Sequence, residues 1–389
     1  MIGRVILNRD EIPFSKPWVG QEEINNLVKV IESRKLAGGG EFMKCCEAWI
    51  EQRYGVQKAL LTTSCTSALE MSAMLCGIQP GDEVILPSFT FPSTANAFLL
   101  RGAIPRFVDI RIDTLNIDET AIEAAISPRT KAIVPVHYAG VICEMDAIND
   151  LARDHDIAVI EDAAQAQESL YKGKPAGTLS DLSAFSFHET KNFVAGEGGA
   201  LLINRPELIE KAEIIREKGT NRSLFIRGEI DKYGWVDAGS SYIPSELISA
   251  VLFSQLEKIE EIKRHRRWVY KQYTDRLKSL SKAGFFELPY IPDYIVSNCH
   301  IFFLICKNEA LRDRLLRKLK SNGIQASFHY TPLHSSPMSV KSGFYQGALP
   351  VTEFVSSAIL RLPLFPQLSE NSIEFICGLV EEVCNHCEK

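Results

Sequence analysis

Between Lys58 and Asn204 the chain alternates short apolar runs with helix-patterned stretches, and this alternation narrows its possible folds more than any other feature. The strand-length runs lie at residues 59–62, 83–87, 104–108, 132–136, 158–161, 182–187 and 200–204. Helical spacing separates most of them, as at residues 67–75 and 145–155. Strand and helix in repeated succession build a mostly parallel sheet with helices on both faces, and ligands of such sheets bind beyond the carboxyl ends of the strands. The expected class is α/β, and the residues just after each strand are where chemistry is sought.

The flanks carry other patterns. Ile24, Leu27, Val28 and Ile31 share one face of a helix expected over about residues 21–33. Gly38-Gly39-Gly40 makes a flexible turn before a second helix marked by Phe42, Cys45, Cys46 and Trp49. Periodicity is lost from Lys218 to Pro244, and irregular stretches of that length inside a compact chain are usually functional. A long charged helix is expected over 256–280, with Ile259, Ile262, Val269, Tyr273 and Leu277 inward. Shorter strands and helices follow at 299–306, 311–320, 326–328 and 372–383. A length of 389 residues allows two to three domains, at about 150 residues each. The pattern change places an N-terminal arm and large domain at 1–254 and a smaller α+β domain at 255–389, leaving a cleft between them.

Composition excludes several classes. A formal net charge of −6 leaves no basic stripe for nucleic acid. The cluster Lys263-Arg264-His265-Arg266-Arg267 follows Glu257, Glu260 and Glu261 and reads as a solvated helix face. No apolar run approaches the ~18 residues of a membrane span. Arg4, Arg9, Asp10 and Glu11 interrupt any signal-peptide core. Ten scattered cysteines suit small core hydrophobes in a reducing, cytoplasmic setting. The one C-x-x-C, Cys384 to Cys387, lacks a second ligand pair, so no metal site is expected.

Three segments could carry chemistry. In Thr62-Thr63-Ser64-Cys65-Thr66-Ser67 a strand runs into small residues that open a helix. Its free N–H groups and hydroxyls suit a phosphate, although Ser64 or Thr66 would serve equally as an ordinary N-cap. Residues 157–165 form an apolar strand ending in Glu161-Asp162. Asp162 could pair with a protonated ring nitrogen, or cap a helix. Lys191 follows an apolar strand beside Gly196-Glu197-Gly198-Gly199. It could supply a Schiff-base amine, or be a plain surface lysine.

Taken in order, these segments resemble fold-type I pyridoxal-phosphate (PLP) enzymes. More narrowly, the chain resembles the DegT/DnrJ/EryC1/StrS family of nucleotide-sugar aminotransferases over about residues 12–385. The motifs are Pro87-Ser88-Phe89-Thr90-Phe91, Val108-Asp109, Pro135-Val136-His137, Glu161-Asp162-Ala163-Ala164-Gln165, Ser186 through Asn192, and Gly196-Glu197-Gly198-Gly199. Stretches 61–103, 186–199 and 216–223 are most similar to the branch that makes dTDP-4-amino-4,6-dideoxygalactose from dTDP-4-keto-6-deoxy-D-glucose.

The resemblance implies roles for particular residues. Lys191 is similar to the lysine that carries PLP covalently and shuttles the proton. Asp162 is similar to the partner of the pyridine nitrogen, and Gln165 to the residue on the ring hydroxyl. Phe91, or alternatively Phe89, resembles the aromatic that stacks on the ring. Cys65, Thr66 and Ser186 resemble phosphate ligands. Ser241 stands near where many relatives place an Asn that completes the partner subunit's phosphate site. His329, Tyr330 and His334 could reach the sugar or its diphosphate, and His188 could face substrate or only orient Lys191. The resemblance further implies L-glutamate as donor, a homodimer with interfacial active sites, and residues 218–244 as the segment that reaches across. Amination at C3 of a 3-keto sugar, a sugar dehydratase and a PLP-binding regulator are the alternatives. Relatives that act as dehydratases carry histidine at the lysine position, and Lys191 argues against that branch.

Overall fold

The computed structural model describes residues 11–345 and 347–386. Its main sheet has seven strands: β1 Lys58–Thr62, β2 Glu83–Pro87, β3 Ile104–Val108, β4 Thr130–Ile133, β5 Ala158–Asp162, β6 Leu182–Ser186 and β7 Gly199–Ile203. Their spatial order is β1-β7-β6-β5-β4-β2-β3. Neighbours from β6 to β3 run parallel, whereas β7 is antiparallel to both β1 and β6. The expected strands therefore fall within three residues of their observed ends. Strands buried on both faces read as unbroken apolar runs, which is why they are easy to locate.

Helices cover both faces. Those that matter here are α1 Gln21–Ser33, α2 Glu41–Tyr54, α3 Cys65–Leu75, α4 Pro92–Leu99 and α5 Met145–Asp154. The apolar stripe of α1 points outward, with Ile24, Val28 and Ile31 each about half exposed. Its polar side is the buried one. Asn26 donates to Ser254 Oγ at 2.9 Å, and Glu23 accepts from Gln255 at 2.6 Å and from Lys258 at 2.5 Å.

The long helix expected over 256–280 is α7 Ile259–Lys282; residues 256–257 end a preceding helix, α6 Glu246–Glu257, from which Lys258 (φ −106°, ψ 18°) separates it. The inward residues of α7 are as expected, and Arg264 and Arg267 of its basic cluster are exposed as a solvated face requires, but Lys263 and Arg266 are not. Lys263 is buried against Glu168 at 2.6 Å. Arg266 donates to the His300 carbonyl at 2.6 Å and the Cys299 carbonyl at 3.3 Å, and burial lowers its pKa to about 9.

Beyond α7 lies a three-stranded antiparallel sheet, β8 Phe286–Glu287, β9 Phe302–Cys306 and β10 Ile359–Leu362, in that order. It packs with α7, α8 Glu309–Ser321 and α10 Glu370–Asn385 around an apolar core of its own that includes Tyr273, Phe302, Leu315 and Val380. Residues 326–328 are not a strand, since only Ser327 forms a bridge, to Arg361. Among the contacts that join this half to the main sheet, two meet at one helix. Asp109, after β3, accepts from Val351 N, Thr352 N and Thr352 Oγ1 at 2.7–3.0 Å at the start of α9 Pro350–Ala358. His334 makes the second, described below. Cys384 lies in the second core, whereas Cys387 of the C-x-x-C is outside the described residues.

Candidate active site

The carboxyl ends of β1, β5 and β6 open into a cleft of about 500 Å³, closed on its far side by His300, residues 329–330 and Arg361. At one end stands the N-terminus of α3. Ser64 caps it through a 3.1 Å bond from Ser67 N, while the N–H groups of Cys65 and Thr66 meet no acceptor among the described residues. Orphan donors at a helix N-terminus attract an anion. Gly199 allows this corner to close, because a Cβ there would stand 2.4 Å from Cys65 N. Ser186, at the end of β6, brings a hydroxyl to the same cleft.

Strand alternation sorts the two acids at the end of β5 onto opposite faces. Glu161 turns away and is fully used by His137 Nε2, Gly177 N, Leu179 N and Ser180 Oγ at 2.8–3.0 Å. Asp162 lines the cleft. Its Oδ2 accepts from Thr94 Oγ1 at 2.7 Å and its Oδ1 from Ala164 N at 3.2 Å. Gln165 Oε1 accepts from Ala139 N at 2.8 Å, and its Nε2 donates to Tyr330 Oη at 2.9 Å.

Lys191 reaches the same cleft from the turn after β6. Burial holds its amine below the ordinary lysine value, Arg361 adding to the effect and Cys65 and Asp162 opposing it. Burial likewise pushes the Cys65 thiol up, with Asp162 contributing. His188 sits at the rim, where its Nδ1 accepts from Thr190 N at 3.2 Å and Nε2 faces Glu197 at 3.7 Å.

Phe91 is 60% exposed and lines the cleft, whereas Phe89 is 1% exposed inside an apolar cluster, so Phe91 is the aromatic available to a ligand. His329 and Tyr330 line the opposite wall with stacked rings 4.0 Å apart. Arg361 donates to His329 Nε2, so the other ring nitrogen carries the proton and donates to Tyr138 Oη at 3.1 Å. Burial and the neighbouring Arg361 depress the His329 pKa, which keeps that ring neutral. Burial pushes the Tyr330 phenol up to about 12.

Two expected residues stand elsewhere. His334 is buried and does not face the cleft. Its Nδ1 accepts from Ser88 Oγ at 2.7 Å and its Nε2 donates to Glu353 at 3.2 Å, which ties β2 to α9. Ser241 is exposed, outside the cleft of its own chain, and its backbone bridges to Glu217. Conversely, Thr94, His300 and Arg361 belong to the cleft without having been anticipated. Arg361 did leave a signal, as the single charge in the apolar run Ala358-Ile359-Leu360-Arg361-Leu362.

The model of the DegT/DnrJ/EryC1/StrS aminotransferase family matches residues 17–381. Spore coat polysaccharide biosynthesis protein SpsC of Bacillus subtilis is 33% identical over 383 residues, 96% of this chain and 97% of that protein. Among solved structures, the aminotransferase TlmJ from Streptoalloteichus hindustanus superposes with a TM-score of 0.89 at 30% identity, covering 97% of this chain and 100% of that one. Helicobacter pylori PseC, an aminotransferase involved in the biosynthesis of pseudoaminic acid, gives 0.89 at 28% identity with the same coverage.

Proposed function

This chain belongs to the DegT/DnrJ/EryC1/StrS aminotransferase family, and from that premise we propose a specific reaction for a PLP-dependent aminotransferase. The enzyme moves the amino group of L-glutamate to the C4 keto carbon of dTDP-4-keto-6-deoxy-D-glucose. The product is a dTDP-4-amino-4,6-dideoxyhexose of galacto configuration. The observation that carries the reading is the convergence of Lys191, Asp162, Gln165 and the orphan N–H groups of α3 on one cleft. The likeness to SpsC and PseC supports a sugar as acceptor.

The donor set fits a phosphorylated pyridine. Cys65 N, Thr66 N and the hydroxyls of Thr66 and Ser186 would hold its phosphate. Asp162, steadied by Thr94, would face its ring nitrogen, Gln165 its ring hydroxyl and Phe91 its flat face. When bound, PLP supplies an electron sink for the carbon that loses a proton. The residues do the rest. Lys191 Nζ, biased toward the neutral amine by burial, takes that proton and returns it. His329 and Tyr330 wall the cleft against water. His188, at the rim, is placed to meet the sugar.

The active unit in this reading is a homodimer located in the cytoplasm. It has a large domain at 1–254 and a small one at 255–389, with Ser241 completing the partner's phosphate site. Trp235, 82% exposed, and the outward stripe of α1 supply apolar surface for such an interface. Among the described residues, no helix is long and apolar enough to cross a membrane. The test is incubation with PLP, L-glutamate and the 4-keto sugar. Release of 2-oxoglutarate in one-to-one ratio with a 4-amino sugar supports the reading, whereas amine at C3, or none, overturns it.

A further inference from the structure

His300 is a buried side chain with one ring nitrogen committed and the other open. It stands just before β9, 7% exposed, and its ring reaches the cleft. Asn192 Nδ2 donates to the Asn298 carbonyl at 3.1 Å, so the oxygen of that amide faces the ring. An amide oxygen only accepts, and His300 Nδ1 therefore carries the proton and donates it at 2.8 Å. Nε2 is left as a bare lone pair, and no described residue bonds to it. The ring stays in this form. Burial, then Lys191, Arg266, Arg361 and His329, hold its pKa well below the ordinary histidine value.

The backbone beneath the ring is fastened from three sides. Cys299 holds φ 55°, a left-handed conformation unfavourable for a residue with a side chain. Arg266 of α7 clamps the carbonyls of Cys299 and His300 at 3.3 and 2.6 Å. Asn298 Nδ2 donates to Gln165 O and Gln167 O at 2.9 and 2.8 Å, and Asn298 N to Ser169 Oγ at 3.0 Å. The loop after β5, the lysine loop and α7 thus converge on one histidine. A histidine that only fills a core has both nitrogens satisfied. This one presents an acceptor to the cleft.

A matching donor lies in the same cleft. Lys191 directly precedes Asn192, which holds the ring, and its charge acts on His300 more than any other. Its Nζ forms no hydrogen bond or ion pair with a described residue. Asp162 is committed to Thr94 and Ala164 N and, in the reading above, to the cofactor ring. We propose that His300 Nε2 accepts a hydrogen bond from Lys191 Nζ whenever that amine is not joined to the cofactor. His300 is then a positioning residue, and the assignment rests on the transamination reading. One N–H of the amine points to His300, which turns the nitrogen lone pair toward the carbon whose proton moves. When Nζ takes that proton, the bond becomes charge-assisted and stronger. The proton stays on Nζ, because the buried imidazole does not bind it.

Two amides separate the ring nitrogens. His300→Asn keeps a donor where Nδ1 stood and leaves nothing at Nε2, whereas His300→Gln carries an acceptor out to the Nε2 position. Lys191 is read in the cofactor-free protein by acetic anhydride labelling across pH and peptide mass spectrometry. His300→Asn lowers the labelling midpoint, since the ammonium loses its acceptor, while water filling the gap would raise it. His300→Gln stays near wild type. With PLP and L-glutamate and no sugar, the single-turnover rate falls about 10-fold or more in His300→Asn and recovers in part in His300→Gln. A midpoint that is unchanged or raised in His300→Asn overturns the proposal, as does an equal loss in the two variants. If His300→Asn does not fold, His300→Gln decides alone, a wild-type midpoint supporting the proposal and a lowered one overturning it. The labelling needs neither cofactor nor sugar. A protein that behaves as expected there but does not aminate the keto sugar overturns the sugar reading and leaves His300 in place.

Discussion

Thr94 Oγ1 donates a 2.7 Å hydrogen bond to Asp162 Oδ2, and both side chains are buried. The first turn of α4 thereby aims the carboxylate that ends β5. Thr90 is bonded to the same hydroxyl at 2.9 Å, so the three form a chain. Thr94→Val keeps the shape and removes the donor. The expected loss is about 1.5–3 kcal/mol of stability, the range for a hydrogen bond to a charged group. PLP affinity falls by about tenfold as the carboxylate loosens. Denaturant unfolding and a PLP titration check both.

The buried amine of Lys191 makes the stability of the cofactor-free protein depend on pH. Its folded-state pKa lies below the unfolded lysine value of about 10.4, so between the two the unfolded chain binds the extra proton. Stability then rises with pH through that window. The penalty is greatest below the folded pKa and vanishes above the unfolded one. Melting curves of wild type and Lys191→Met from neutral to alkaline pH should converge upward. Parallel curves would show that the amine is not held in a depressed state.

His334 tests the distinction between holding the fold and touching the ligand. His334→Ala breaks its bonds to Ser88 and Glu353 and costs about 1–3 kcal/mol of stability. Both Michaelis constants stay unchanged in the folded fraction, since the ring does not face the cleft. A selective rise in either constant would return His334 to the site.

The outward apolar surface predicts association. Trp235→Glu places a charge on a ring that is 82% exposed in the single chain, and it is expected to shift a dimer toward monomer in sedimentation. An unaltered dimer would place the interface elsewhere.

What could be read from sequence divides along physical lines. The main sheet was legible because its strands are continuously apolar and are separated by helix-patterned segments. Asp162 and Lys191 were legible because each follows such a strand. The break at Lys258 was not, since no proline or glycine interrupts the pattern between Glu257 and Ile259. The burial of Lys263 depends on Glu168, 95 residues away, and no local pattern announces such a pairing. His334 and His329 look alike in the motif Phe328-His329-Tyr330-Thr331-Pro332-Leu333-His334. They part only because Ser88 and Glu353 claim the first, and Arg361 and Tyr138 the second.

Lys191 is the residue that carries the cofactor in the proposed reaction. Borohydride reduction of the PLP-loaded protein, followed by peptide mass spectrometry, reads this directly. The result expected is a phosphopyridoxyl group on the peptide containing Lys191 and on no other lysine. Label on a different lysine, or none on a protein that has bound PLP, would contradict it.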